Sequence, residues 1–242
     1  MKSGSSSIRI VRYYAEHIGD INDKIGAYKR YTGKKWCCVG DSLTEQNSAT
    51  SKHYYDYISD ELGFNVVNMG VGGTGYMRGY DSNNAFYQRI SSCPTDVDVV
   101  TIFGSGNDIS LMEQIGEYTD NGTSTICGCV NTTLDNFFQI CPTTPIGIIA
   151  PSPWSTTPTT SVGNNMEQYV IKLKQIAEYR GIPFLDLYHC SNLRPEIQSN
   201  RELCFANGVN LDGNGDGVHP NELGHKIIAS KIREFVLSLI IN

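Results

Sequence analysis

Five short apolar runs alternate with helix-patterned segments along this chain, and each run is cut off by glycine, asparagine or proline. The runs lie at about 35–39, 64–68, 98–103, 145–150 and 182–187. Asp98-Val99-Val100-Thr101-Ile102-Phe103 is nearly continuous, and an almost unbroken apolar run suits a strand buried on both faces. Between the runs, apolar residues recur at helical spacing. Tyr54, Tyr57, Ile58 and Leu62 end at Gly63, and Leu134, Phe137 and Phe138 stop before Pro142. Met166, Tyr169, Val170, Leu173, Ile176 and Ala177 end at Gly181 and Pro183. A last stripe, Leu223, Ile227, Ile228, Ile232, Phe235, Val236 and Leu239, opens after His219-Pro220-Asn221. Glycine and proline at these places are ordinary helix stops. Strands alternating with helices imply a parallel sheet covered on both faces. The expectation is therefore an α/β chain: a three-layer α/β/α sandwich around a central parallel sheet of about five strands.

The connections are less regular. Residues 76–90 read as a loop followed by a short helix, and 109–130, with weak periodicity, as a long loop or lid. The next helix is expected to begin near 131. Pro151, Pro153 and Pro158 make 151–164 a second loop. Residues 188–214 are expected to be irregular or to hold a short helix.

The N-terminal part differs from the rest. Tyr14, Ile18, Ile21, Ile25 and Tyr28 form a stripe about two heptads long within 12–31. It reads either as a helix on the domain surface or as a short coiled coil joining a larger assembly. The start, MKSGSSSIRI, has no apolar signal core. It resembles a linker, a tag remnant or the excision point of a domain from a larger secreted, surface or phage protein, so localisation stays open. The expected division is 1–33, linker and helix, and 34–242, the main domain.

Composition excludes some partners. The 242 residues carry a formal charge of −6, with 18% charged residues and no basic patch, which argues against nucleic acid. No stretch approaches the ~20 apolar residues of a membrane-spanning helix. Of the eight cysteines, Cys37 and Cys38 adjoin on a strand and should face opposite sides of the sheet. Cys127-Gly128-Cys129 lacks the second pair or histidine that a zinc site needs. The even count does not establish disulfides in a chain of this size.

Chemistry-bearing groups fall at the carboxyl ends of successive strands, the edge where open α/β sheets bind ligands. Gly40-Asp41-Ser42 follows the first run. Asn68-Met69-Gly70-Val71-Gly72-Gly73 follows the second, and Gly106-Asn107-Asp108 the third. Asp216-Gly217-Val218-His219 precedes the last helix. Acyl transfer needs a nucleophile, a base, a group orienting that base and donors for an oxyanion, and these four blocks supply such residue types.

In order and spacing the blocks GDSL, N-x-G-x-x-G, G-N-D and D-x-V-H-P-N resemble the SGNH hydrolases, the GDSL esterase/lipase superfamily, over about 36–239. The resemblance implies the flavodoxin-like SGNH hydrolase fold. It implies Ser42 as nucleophile, His219 as general base and Asp216 as the residue orienting it. It implies three oxyanion donors: the N–H of Ser42, the N–H of Gly73 and the side-chain amide of Asn107. Asp41 and Asp108 are expected to hold their loops. The chain departs from the family pattern at Ser105, where glycine usually stands. His53, His189 and His225 have no block around them and are expected to be structural.

The functional expectation is a serine esterase hydrolysing a small acyl ester, O-acetyl groups on a carbohydrate among the candidates, with no cofactor and no metal. Tyr76, Tyr80, Tyr87 and Trp154 lie in loops after strand ends, where they either stack on sugar rings or pack the loops. A lipase or thioesterase of the same fold is the alternative within this chemistry. A non-catalytic carbohydrate-binding or adhesion domain of a larger phage or cell-surface assembly is the alternative outside it. Asp212-Gly213-Asn214-Gly215-Asp216-Gly217 imitates the start of an EF-hand loop, but the bidentate glutamate position falls on Leu223. Activity is expected to rise with pH around the ordinary histidine range of about 6–7.

Overall fold

The first strand, β1 (Lys35–Gly40), lies inside a parallel sheet, and its alternation feeds two cores at once. Cys37 and Val39 enter one apolar cluster, while Trp36 and Cys38 enter another on the opposite face. The two adjacent cysteines thus face opposite ways as their spacing requires. In this computed structural model residues 31–79, 84–111, 113–155, 165–207 and 213–240 are described. The 12–30 part of the N-terminal stripe, Tyr80 and Asp212 lie outside them.

Helix α1 (Tyr54–Leu62) follows β1 and ends at Gly63, whose φ of 80° is a left-handed cap that favours glycine. Then come β2 (Asn65–Gly70), the short α2 (Phe86–Arg89), β3 (Val99–Phe103) and the single turn α3 (Asn107–Ser110). Helix α4 (Ile126–Ile140) leads to β4 (Ile146–Ile149), and α5 (Met166–Arg180) to β5 (Phe184–Leu185). The short helices α6 (Leu187–Cys190) and α7 (Gln198–Cys204) precede the long α8 (Glu222–Ile240). Among the described residues the sheet has five strands, all parallel, in the order β2-β1-β3-β4-β5. Helices α4 and α5 bury their stripes against one face, and α1 and α8 against the other. This is the expected α/β/α sandwich. Trp36 Nε1–H donates to Thr101 Oγ1 at 2.9 Å, satisfying a buried indole across β1 and β3.

Some expectations are corrected. Helix α4 begins at Ile126, not near 131, because Thr125 caps it by accepting the Gly128 N–H. Cys127, Gly128 and Cys129 are weak helix formers, so the local pattern was faint, and burial on the core decides the conformation. Strand β5 is only Phe184–Leu185, the far edge of the sheet, and the chain turns into α6 at Leu187. Leu223 is 47% exposed and does not belong to the buried face of α8.

The strand order reverses direction at β1 and β3, which lie side by side while their connections leave to opposite sides. That switch point is where open α/β sheets form a crevice at their carboxyl edge. Gly40 ends β1 there, and Phe103 ends β3 directly beside it.

Candidate active site

Ser42 sits two residues past β1, and His219 lies in the turn that leads into α8. Ser42 Oγ is 3.0 Å from His219 Nε2. On the other side of the ring, His219 Nδ1 is 2.7 Å from Asp216 Oδ2. Asp216 Oδ1 accepts the backbone N–H groups of Val218 and His219, both at 2.9 Å. This Asx-type turn explains the three-residue spacing, since one carboxylate closes the turn and holds the ring that the turn presents. Because Nδ1–H is given to Asp216, Nε2 is left as an acceptor facing the serine hydroxyl.

The electrostatics agree with that arrangement. The hydrogen bond to Asp216 raises the His219 pKa above its ordinary value, against a smaller opposing effect of burial. Burial pushes Asp216 up, but the hydrogen bonds from the His219 ring and the two backbone N–H groups outweigh it and keep the carboxyl below its usual range. Both carboxylate oxygens are thereby engaged within the turn, which leaves them poorly placed to serve an EF-hand-like site.

The second and third blocks border the crevice from the other side. Gly73, with φ of 71°, occupies a turn in which Thr74 Oγ1–H donates to Val71 O at 2.7 Å. Gly73 and Asn107 line one cleft of about 310 Å³, together with Arg78, Gly79, Ser110 and Leu111. Asn107 Nδ2–H donates to Thr74 O at 2.9 Å, and the same nitrogen lies 3.5 Å from Asp41 Oδ2. Among the described residues, the N–H groups of Ser42 and Gly73 have no intramolecular acceptor. Asp216 and His219 line a separate cleft of about 410 Å³ with Asn47, Ser48, Ala49, Ala206 and Asn207.

Asp41 and Asp108 hold loops, as expected. Asp41 Oδ1 accepts the Leu43 N–H at 2.9 Å. Asp108 accepts three consecutive N–H groups, from Tyr76, Met77 and Arg78, at 2.8, 3.1 and 2.9 Å. Its burial raises the pKa to about 7 against the pull of those donors. Gly75 is required here, since a Cβ would stand 2.4 Å from an Asp108 carboxylate oxygen.

Asn47 and Arg89, which the sequence did not single out, also shape the site, together with Ser105. Asn47 Nδ2–H donates to Ser42 O at 2.7 Å. Ser105, 1% exposed, puts its hydroxyl 2.7 Å from Asp41 Oδ2 and 2.8 Å from Thr74 O. The Arg89 guanidinium bonds the ends of both β1 and β2 through Gly40 O and Met69 O, and reaches Thr74 Oγ1 at 3.0 Å. Burial lowers its pKa to about 10.

The remaining histidines behave differently. His225 Nδ1 accepts the Tyr54 N–H at 3.2 Å, and burial holds its pKa down at about 3. His53 stacks on Tyr55 at 5.3 Å. His189 pairs with Asp186 at 2.9 Å with the same three-residue spacing as His219 and Asp216, but on the exposed surface. Tyr76 is fully buried against Phe86 and is withdrawn as a sugar-stacking candidate, whereas Trp154 is half-buried. Cys127 and Cys129 are buried thiols whose pKa burial raises to about 12, and all eight cysteines are free. Among the described residues no three metal-ligating side chains converge.

The sequence profile of the GDSL-like lipase/acylhydrolase family matches residues 38–227, most of the chain. The chain belongs to this family. It is thus a serine hydrolase acting on ester bonds. No curated protein matches it. Among solved structures it is similar to a protein from Lactobacillus plantarum, 25% identical, with a TM-score of 0.75 over 86% of this chain and 98% of that one. A possible lipase from Chitinophaga pinensis is 21% identical, with a TM-score of 0.69 over 86% and 99% of the two chains. A carbohydrate acetylesterase from Sinorhizobium meliloti is 15% identical, with a TM-score of 0.58 over 85% and 99%. No described helix is long and apolar enough to cross a membrane.

Proposed function

We propose that this family member is an esterase that removes small acyl groups from hydroxylated alcohols, O-acetylated carbohydrates foremost, using Ser42, His219 and Asp216. The observation that carries the reading is the 3.0 Å contact between Ser42 Oγ and His219 Nε2, with Asp216 2.7 Å behind the ring. In this mechanism Nε2 takes the Ser42 proton as Oγ attacks the ester carbonyl. Asp216 stabilises the imidazolium that forms. The oxyanion is met by the N–H groups of Ser42 and Gly73 and by the second amide hydrogen of Asn107. His219 then returns the proton to the departing alcohol, and water repeats the sequence to free the acid.

That proton transfer sorts the two clefts. The alcohol must leave on the His219 side, where Asn47, Ser48 and Asn207 give the cleft a polar lining. The acyl group must lie beside Gly73 and Asn107, in a cleft where Leu111 is the one large apolar side chain among its lining residues. Polar surroundings for the alcohol and little apolar room for the acyl chain favour acetyl-sugar esters over long-chain lipids or thioesters. The hydrolase domain is taken as 34–242, with Tyr31 already packed on Phe64 in its core.

A comparison of p-nitrophenyl acetate with p-nitrophenyl esters of longer acyl chains, followed by a deacetylation screen over acetylated glycans, tests the substrate. Acetate preferred over the long chains and acetate released from a glycan are expected. Preference for long acyl chains would return the lipase reading. No turnover of any ester, with binding to glycans retained, would return the adhesion-domain reading.

A further inference from the structure

Ser105 stands where the family pattern has glycine, and its hydroxyl meets more acceptors than it has protons. Oγ lies 2.7 Å from Asp41 Oδ2 and 2.8 Å from Thr74 O, and it accepts the Asn107 N–H at 3.2 Å. A carbonyl oxygen cannot donate, and a hydroxyl donates once. If the Ser105 proton goes to an ionised Asp41, the close contact with Thr74 O has no proton in it. If Asp41 carries a proton, every contact is satisfied. Asp41 Oδ2–H then donates to Ser105 Oγ, and Ser105 Oγ–H donates to Thr74 O. Thr74 O also accepts from Asn107 Nδ2, and Asp41 Oδ1 accepts from Leu43 N–H. Buried networks are retained when every member has a partner.

We propose that Asp41 is a neutral carboxylic acid at working pH, and that the chain Asp41–Ser105–Thr74 is the positioning device that aims the Asn107 amide at the oxyanion. The claim about Asn107 rests on the esterase reading, whereas the claim about the Asp41 proton does not. Asp41 is 5% exposed, and its burial raises its pKa against the opposing effects of the Leu43 N–H, Ser105, His219 and Arg89. Those last two are the cationic groups facing it, from the turn before α8 and from α2. Asp108 lies one residue past Asn107 and is spent on the backbone of residues 76–78. A neutral Asp41 also spares the oxyanion a negative neighbour one residue from the nucleophile. When Asp41 ionises, the Ser105 proton turns to it and Thr74 O keeps only Asn107. The Asn107 amide, 3.5 Å from Asp41 Oδ2, is drawn toward the new charge.

The first test is spectroscopic and does not use activity. The infrared difference between wild type and Asp41→Asn at neutral pH should contain the carbonyl stretch of one protonated carboxyl group. Asp108 is common to both proteins and cancels. A carboxylate band in its place overturns the proposal. If Asp41→Asn does not fold, the difference between wild type and Ser105→Ala serves, because the acid loses the acceptor for its proton and its band must shift. An unmoved acid region would overturn the proposal in the same way.

The second test is kinetic. Wild-type kcat should fall at alkaline pH as Asp41 ionises, and Asp41→Asn should lack that limb while keeping the acid limb due to His219. Ser105→Ala should lower kcat roughly tenfold or more with KM nearly unchanged and the melting temperature held, the signature of a misaimed oxyanion donor. An alkaline limb that survives in Asp41→Asn, or a Ser105→Ala enzyme with unaltered kcat, would overturn the proposal. Absence of esterase activity in wild type would instead remove the esterase reading, and the infrared result on Asp41 would stand by itself.

Discussion

Ser42 Oγ and His219 Nε2 meet at 3.0 Å although the two residues are 177 positions apart in the chain. The sheet creates the meeting. Ser42 is carried by the carboxyl end of β1, and His219 by the turn before α8, a helix packed on the face of the sheet that Trp36 and Cys38 also enter. In the proposed mechanism His219 must be an unprotonated acceptor for the reaction to proceed.

That requirement sets the acid limb of the pH profile. The ring must be neutral, and its hydrogen bond to Asp216 raises its pKa, so activity should rise with pH about a midpoint above the ordinary value of about 6.5. This places the midpoint above the unperturbed range expected from the sequence. Asp216→Asn should move the limb to lower pH and lower kcat by roughly 10³–10⁴, because the ring loses its tautomer control. A pH–rate profile of both proteins checks it, and an acid limb at the same pH in both would contradict it.

Asn107→Ala should lower kcat by roughly 10²–10³ with KM little changed, since its amide meets charge that exists only in the transition state. The side chain also ties α3 to Thr74 O, so thermal melts must accompany the kinetics. Activity within about threefold of wild type at unchanged stability would remove Asn107 from the oxyanion site.

Asp108→Asn should destabilise the fold by about 2–4 kcal/mol, because one amide oxygen cannot replace two carboxylate oxygens serving three N–H groups. The pH dependence has a definite sign. The Asp108 pKa is about 7 in the folded state and about 3.9 when unfolded, so the folded protein keeps a proton that the unfolded chain releases between those values. Stability from this group therefore falls as pH rises from about 4 to 7. Urea melts across that range should show a shallower decline for Asp108→Asn, and an unchanged slope would assign the effect elsewhere.

Incubation with EDTA should leave the rate of ester hydrolysis unchanged, because Asp216 is committed to His219 and its own turn. Loss of activity restored by a divalent ion would revive the Asp212–Asp216 metal site.

What the sequence made legible follows from what is locally encoded. Gly63, Gly73 and Gly75 mark backbone that other residues strain or clash in, and the Asp216–His219 spacing belongs to one turn, so each can be read from neighbouring letters. The strands were legible because burial on both faces demands unbroken apolar runs. The partners of Ser105 and the part played by Arg89 were not, because they come from segments distant in sequence, and only the fold brings them together. Tyr76 stayed open between two readings for a related reason. A tyrosine after a strand looks the same in sequence whether it faces a ligand or, as here, packs on Phe86. The early start of α4 was hidden by Cys127-Gly128-Cys129, whose helix rests on packing and the Thr125 cap rather than propensity.

The most direct test of the account is the rate of p-nitrophenyl acetate hydrolysis by wild type and by Ser42→Ala, with the fold of each verified by circular dichroism. The account predicts turnover by wild type with an acid limb, and a fall of roughly 10⁴-fold or more in Ser42→Ala at unchanged secondary structure. A Ser42→Ala protein that hydrolyses the ester within a few-fold of wild type would contradict it.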